Sequence, residues 1–384
     1  MGAPHRVVIA GGGVAGLETL IALRELAGDR VELQLVAPQW EFDHRPLAVA
    51  EPFGLGETRR LELGRLAADH GASWRFDALA EVDAPRRRAT LRSGDVLEYD
   101  DLVVALGARR LEGIPGALTF RDREDVLAYE LLLGELVEGA VRRLAFAVPG
   151  AVAWVLPLYE LALMTSLHLR ERGVAPPELV LVTPEKAPLA AFGSRASNAL
   201  AALLRDRGIK VRCSAYPESF ADGVLRVRPK PDVTAERVVS LPRLRGVELP
   251  GLPADADGFV PADLHGRVRG LEGVLAAGDG AAFPIKQGGL AARQGRAVAA
   301  AIAAAVGAPV QPEPYRPSLR ALLLTGDSPR RLHAEPGGGR GDVSQVALSA
   351  LHWPPDKIDS RYLAPYLERA AAPQSALGGD PLGP

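Results

Sequence analysis

Three observations predict an α/β chain made of two parallel-sheet units, the second inserted in the first, followed by a small C-terminal α+β region. A buried-strand pattern, Val7-Val8-Ile9-Ala10, runs into a glycine turn, Gly11-Gly12-Gly13-Val14-Ala15-Gly16, and out into an amphipathic helix. Residues 142 to 183 repeat that plan of strand, helix and strand. A short apolar run, Gly273 to Ala277, returns late in the chain and ends in Gly278-Asp279. The first unit is therefore expected to be discontinuous, 1–112 with 250–316, and the second to occupy 113–249. Residues 317–370 read as an interface region and 371–384 as a disordered tail.

In the opening unit, Val14 to Leu26 reads as a helix with Leu17, Leu20, Ile21 and Leu23 on its apolar side and Glu18, Arg24 and Glu25 opposite. Val31 to Val36 closes the unit as a second apolar strand. Strand, tight glycine turn, helix and strand within about 30 residues is the setting in which GxGxxG binds a dinucleotide, the Rossmann-like plan. Gly11 permits the turn, Gly13 admits a pyrophosphate close to backbone, and Gly16 lets helix and strand pack. At Val14 and Ala15 the helix start offers unpaired N–H groups and a partial positive charge to that anion. The acidic residue that holds a ribose at the end of the second strand is missing: Ala37-Pro38-Gln39 stands there, and Glu41 is the nearest substitute.

Next comes Trp40 to Leu47, then Ala50-Glu51-Pro52-Phe53, a mix suited to a ligand wall or lid as well as to a surface turn. Leu61 to His70 looks helical, Trp74 to Phe76 begins a strand, and Ala89 to Leu91 with Val96 to Tyr99 forms a hairpin around Ser93-Gly94-Asp95. Asp101 to Val104 is another apolar strand, whose exit Ala105-Leu106-Gly107-Ala108 is small where backbone passes close to a ligand. Arg109 to Pro115 reads as a linker.

The second unit has the strand Leu144 to Val148, the helix Leu156 to Arg172 and the strand Leu179 to Thr183. With Glu160 set opposite Glu18, the three glycine positions become Ala153, Val155 and Leu158. The loop is about four residues longer and carries Pro149, Trp154 and Pro157, which remove N–H donors and crowd a phosphate. Tight nicotinamide-dinucleotide binding is disfavoured here. Further on, Ser194 to Arg207 reads as a helix, Val224 to Val227 as a strand, and an alanine-rich helix runs from about Gly288 to Val306.

Gly278-Asp279 at a strand end has its own chemistry. A carboxylate there can accept hydrogen bonds from the hydroxyls of a ribityl chain, and the following helix can aim N–H groups at a flavin ring carbonyl, where charge collects on reduction. Gly288, Gly289, Ala291 and Ala292 leave room for a flat ring. Gly11-x-Gly13-x-x-Gly16, Ala105-Leu106-Gly107-Ala108, Leu275-Ala276-Ala277-Gly278-Asp279 and Lys286-Gln287-Gly288-Gly289-Leu290-Ala291 occur in the order seen in flavoproteins with two dinucleotide-binding domains. The chain resembles that superfamily over roughly residues 5 to 310. Phe42 to Leu47 and Tyr159-Glu160-Leu161-Ala162 look most like its quinone-linked branches, sulfide:quinone oxidoreductases and type II NADH dehydrogenases.

That resemblance implies FAD, with Val82, Ala105 and Gly107 added to the binding set and the isoalloxazine near Arg45, Pro46, Lys286, Gln287 and Gly288. It implies Glu160 beside the flavin, meeting a nicotinamide or relaying protons, with a plain helix-surface residue as the alternative. Lys286 is the cation expected to stabilise reduced flavin. The partners implied are a small-molecule electron donor and acceptor, a quinone among them. In the superfamily the C-terminal region often makes a membrane or homodimer surface; Leu351 to Pro355 and Tyr362 to Leu367 suit that, or packing against the FAD unit.

Composition narrows the class. Cys213 is the only cysteine, so disulfide-reductase chemistry is excluded, sulfide oxidation on a cysteine set is doubtful, and a buried thiol is expected. A formal net charge of −2 gives no reason to expect nucleic acid. The longest apolar stretch, Leu144 to Tyr159, is broken by Pro149, Gly150 and Pro157 and is too short to span a bilayer. A cytoplasmic protein is expected, with peripheral contact at the inner face of the membrane. Three functions stay open: a quinone-linked FAD oxidoreductase, an NAD(P)H-dependent reductase using the altered second unit, and an FAD-binding sensor or subunit without turnover.

Overall fold

Apolar, β-branched strands without polar alternation belong in parallel sheets covered on both faces. The computed structural model, which describes residues 3–150, 152, 154–335, 343–347 and 357–371, contains two such sheets. The first runs 274–276, 101–104, 5–10, 31–37, 72–76 and is parallel throughout. The second, 118–119, 237–240, 143–147, 178–182, 209–212, is parallel as well. Strand by strand the two orders correspond, so the repeat seen in the sequence extends through the whole sheet. The chain leaves the first sheet along Arg109–Leu111 and returns along Arg243–Arg245, and these two segments pair antiparallel. What read as a linker is in part a two-stranded hinge.

The helix Val14–Ala27 packs along Gly288–Ala305, and small residues set their distance. A Cβ on Gly295 would stand 2.5 Å from the Ala15 carbonyl oxygen, and Thr19 Oγ1 donates to the carbonyls of Ala15 and Gly295 at 2.6 and 3.2 Å. Glu18, read as part of the polar face, is fully buried. It accepts backbone N–H bonds from Arg361, Tyr362 and Leu363 at 2.8 to 3.3 Å, which pins the start of the C-terminal helix Leu363–Ala371. Amphipathic periodicity cannot distinguish a solvated carboxylate from one facing a helix end that arrives 343 residues later.

Three antiparallel strands, Leu319–Leu323, Arg330–Glu335 and Val343–Ala347, form the C-terminal sheet. In the stretch Tyr362 to Leu367, Leu363 and Leu367 are buried in the cluster that holds Leu17 and Leu20, so this segment packs on the first unit. Leu351 to Pro355, the loop at 336–341 and the tail beyond 371 lie outside the described residues. Cys213 follows the strand Ile209–Arg212 and is only partly buried, unlike the buried thiol expected.

Candidate active site

The glycine turn is built as its spacing requires. Gly11 has φ +125°, and a Cβ there would lie 2.1 Å from the Ala105 carbonyl oxygen; one on Gly16 would lie 1.9 Å from that of Gly11. Neither position tolerates a side chain. Gly13 differs, since a Cβ on it would meet nothing within 4 Å. It opens into a cleft of about 650 Å³ whose wall includes Gly11, Val14, Ala15, Ala105, Gly107 and Asp279. As N-cap, Gly13 supplies no side-chain hydrogen bond, so the first-turn N–H groups of the helix remain available to an anion. Glu41 lies on this wall, ion-paired to Arg60 at 3.3 Å.

Opposite the turn, Gly278 (φ +81°) brings Asp279 to the cleft. Burial pushes the Asp279 carboxyl above the usual range, against the pull of Lys286 and Arg110. A cleft closed at one end by bare helix N–H groups and crossed by a partly open carboxylate fits a molecule with a diphosphate at one end and hydroxyls in the middle. Its volume is ordinary for a large cofactor. FAD therefore fits: Gly11, Gly13, Val14, Ala15 and Gly16 would hold the diphosphate and Asp279 the ribityl hydroxyls.

Two expected ligands have other tasks. The side chain of Val82 lies in the core with Leu79, Ala89 and Tyr99, and its N–H donates to the Pro250 carbonyl at 3.0 Å; its neighbours Ala78 and Leu79 line the cleft instead. Gln287 caps its own helix, accepting from Leu290 N–H at 3.1 Å, and donates to the Arg320 carbonyl at 2.8 Å, although it also lines the adjoining chamber. The room left by Gly288 and Gly289 is taken by the C-terminal segment: a Cβ on Gly288 would touch Ile358 at 3.0 Å, and one on Gly289 would meet Asp359 N at 3.4 Å. Those glycines admit a strap of chain rather than a ring.

A second cavity, about 230 Å³, joins the cleft at Arg45, Pro46, Arg110, Leu244, Asp279 and Gly288. Its walls are mainly apolar, from Val49, Phe120, Trp154, Pro157 and Leu322, with charged groups at both ends. Near the cleft, the Lys286 ammonium lies 3.8 Å from the Phe259 ring centre and donates to the Ala281 carbonyl. Burial lowers its pKa to about 8, although Asp279 and Asp255 oppose the shift. On the same side Asp122 holds Arg110 in an ion pair and Arg45 at 3.8 Å.

At the far wall Glu160 is fully buried, not on the helix surface. Both its oxygens accept from Lys357 Nζ at 2.7 Å, and Oε1 also accepts the Leu324 N–H at 2.8 Å. Burial raises the Glu160 carboxyl above its ordinary range while Lys357 and that N–H pull it back. The sequence reading found Glu160 and Lys286 but missed Lys357, Arg110, Asp122 and Phe259. Lys357 carried one signal, since it is one of only five lysines in the chain.

The profile of the pyridine nucleotide-disulphide oxidoreductase family matches residues 5–305. A sulfide-quinone reductase of Aquifex aeolicus (strain VF5) is 29% identical over 174 residues, 44% of this chain and 40% of that enzyme's length. Among solved structures, the sulfide:quinone oxidoreductase of Aquifex aeolicus superposes with a TM-score of 0.79 at 20% identity, covering 96% of this chain and 89% of the other. The putidaredoxin reductase in its covalent complex with putidaredoxin gives 0.67 at 19% identity, covering 91% and 86%. A ferredoxin reductase of Rhodopseudomonas palustris gives 0.65 at 18% identity, covering 88% and 84%.

Proposed function

Since the chain belongs to the pyridine nucleotide-disulphide oxidoreductase family, we propose that it takes two electrons from a small reductant and delivers them, through bound FAD, to a quinone or an acceptor of that kind. FAD, when bound, supplies a ring that gains and loses two electrons. The observation that carries the reading is the meeting of cleft and chamber at Arg45, Asp279 and Gly288, with titratable groups on either side. A quinone gains two electrons and two protons to become a quinol, while the donor loses two electrons.

What the chain's residues contribute follows from their placement. Apolar walls exclude water and receive an apolar ring. Arg45, Arg110 and Lys286 present positive charge where an oxygen gains electron density. Glu160 holds its negative charge against Lys357 and can take a proton at a carboxylate oxygen as charge changes beside it. Among the described residues no helix is long and apolar enough to cross a membrane, so a lipid-soluble quinone would be met by peripheral contact.

The test begins with the visible spectrum of the purified protein. Flavin absorption is expected, followed by anaerobic bleaching with dithionite and rapid recovery on addition of a short-chain ubiquinone analogue. A colourless protein that refuses added FAD overturns the cofactor assignment. Reduced flavin left untouched by benzoquinone, naphthoquinone and ubiquinone analogues overturns the acceptor.

A further inference from the structure

The second parallel sheet has the plan of a nicotinamide-dinucleotide domain, and its end is filled by its own side chains. We infer that this unit binds no nicotinamide dinucleotide, because Trp154 and the Tyr159–Glu185 pair occupy the place of one, and that the electron donor is a compact molecule reaching the chamber directly. The inference rests on the proposed function for the identity of the centre that the donor reduces.

Three observations carry it. First, the strand Arg143–Ala147 and the helix Leu156–Glu171 are joined by residues 148–155, where the first unit needs only 11–13. The helix that would receive the pyrophosphate has Pro157 in its first turn, which has no N–H to offer. Second, Trp154 stands directly before that helix and meets the Phe192 ring edge-on at 5.8 Å between centres. Trp154 also lines the chamber, so it separates chamber from sheet end. An indole wedged at a helix start blocks the close backbone approach that a diphosphate needs.

Third, Glu185 lies just beyond the strand Glu178–Val182 and is the carboxylate nearest to where a ribose is gripped. Its acceptor capacity is already used. Tyr159 OH donates to Oε2 at 2.6 Å, Thr183 Oγ1 to the same oxygen at 3.1 Å, and Ala190 N–H to Oε1 at 3.2 Å. Tyr159 itself is fully buried. A ribose would have to displace a buried phenol hydroxyl from its only acceptor, and leaving that hydroxyl unpaired is costly.

The same unit thus acts as a wall. Its helix delivers Trp154, Pro157 and Glu160 to a chamber of about 230 Å³, room for a small molecule. Trp154, Tyr159 and Glu185 determine donor specificity by exclusion.

The test uses the yellow holoprotein without air. Titration calorimetry with millimolar NADH, NADPH and NAD⁺ is expected to give no saturable heat. The flavin band is expected to survive minutes with either reduced nucleotide and to vanish at once with dithionite, which shows that the ring is open to a compact reductant. Saturable binding of any of the three nucleotides overturns the inference, as does bleaching by NADH or NADPH. The quinone recovery step reads the acceptor separately, so a failure there leaves the nucleotide result interpretable.

Discussion

Glu160 and Lys357 form the most consequential contact in the molecule, since each is buried and both lie on the chamber wall. Removing one partner of a buried ion pair leaves the other charge unmatched, at about 3–5 kcal/mol. Lys357→Met is expected to lose that much stability near neutral pH, measured by urea unfolding. Without its counter-charge the Glu160 carboxyl rises further above its unfolded value. The folded state then holds an extra proton in acid, so the deficit should shrink toward pH 5 and grow toward pH 8. The double variant Glu160→Gln with Lys357→Met should recover much of the loss. Gly13 permits a sharper test of the cleft, because a methyl group there collides with nothing in the protein. Gly13→Ala should fold with an unchanged melting temperature in the FAD-free form and yet bind FAD at least tenfold more weakly, by fluorescence titration. Lys286 has its folded pKa lowered to about 8 by burial, so between pH 8 and 10 the unfolded chain binds the extra proton. The stability of the wild type should therefore gain on that of Lys286→Met across this interval; a constant difference would place the ammonium in solvent.

At the scale of elements, two helices in equivalent positions of the repeated unit each send a buried glutamate toward the C-terminal region. From Val14–Ala27, Glu18 pins the helix Leu363–Ala371; from Leu156–Glu171, Glu160 holds Leu324 and Lys357. The carboxylate of Glu18 does for a remote helix what an N-cap side chain does locally, satisfying N–H groups with no partner in their own helix. Glu18→Ala is expected to cost about 1–3 kcal/mol, from the desolvated N–H groups left unpaired. It should also open the chain to trypsin after Arg361, with Glu18→Gln intermediate; an unchanged digestion pattern counts against the clamp. The helix pair Val14–Ala27 and Gly288–Ala305 was legible in outline because alanine and glycine spacing marks close approach. Which helix they approached was not, since the two segments are separated by most of the chain.

For the molecule as a whole, the chamber belongs to no single unit. Arg45 comes from the first, Trp154 and Glu160 from the second, and Leu322 and Lys357 from the C-terminal region. Ending the chain at residue 356 removes the counter-charge of Glu160 and the helix held by Glu18 together. Such a protein should melt several degrees lower and bind a hydrophobic dye at temperatures where the full chain does not.

The local rules of the chain determined the glycine turn, the strand exits at Gly107 and Asp279 and the parallel character of both sheets, because each follows from backbone sterics or short-range periodicity. Only the tertiary structure decided that Glu18 is buried, that Val82 and Gln287 serve the scaffold, that Gly288 makes room for Ile358, and that Lys357 faces Glu160. Those outcomes depend on which surfaces meet after the chain has crossed itself through the hinge at 109–111 and 243–245. A carboxylate looks the same in sequence whether its partner is water or an ammonium 197 residues away.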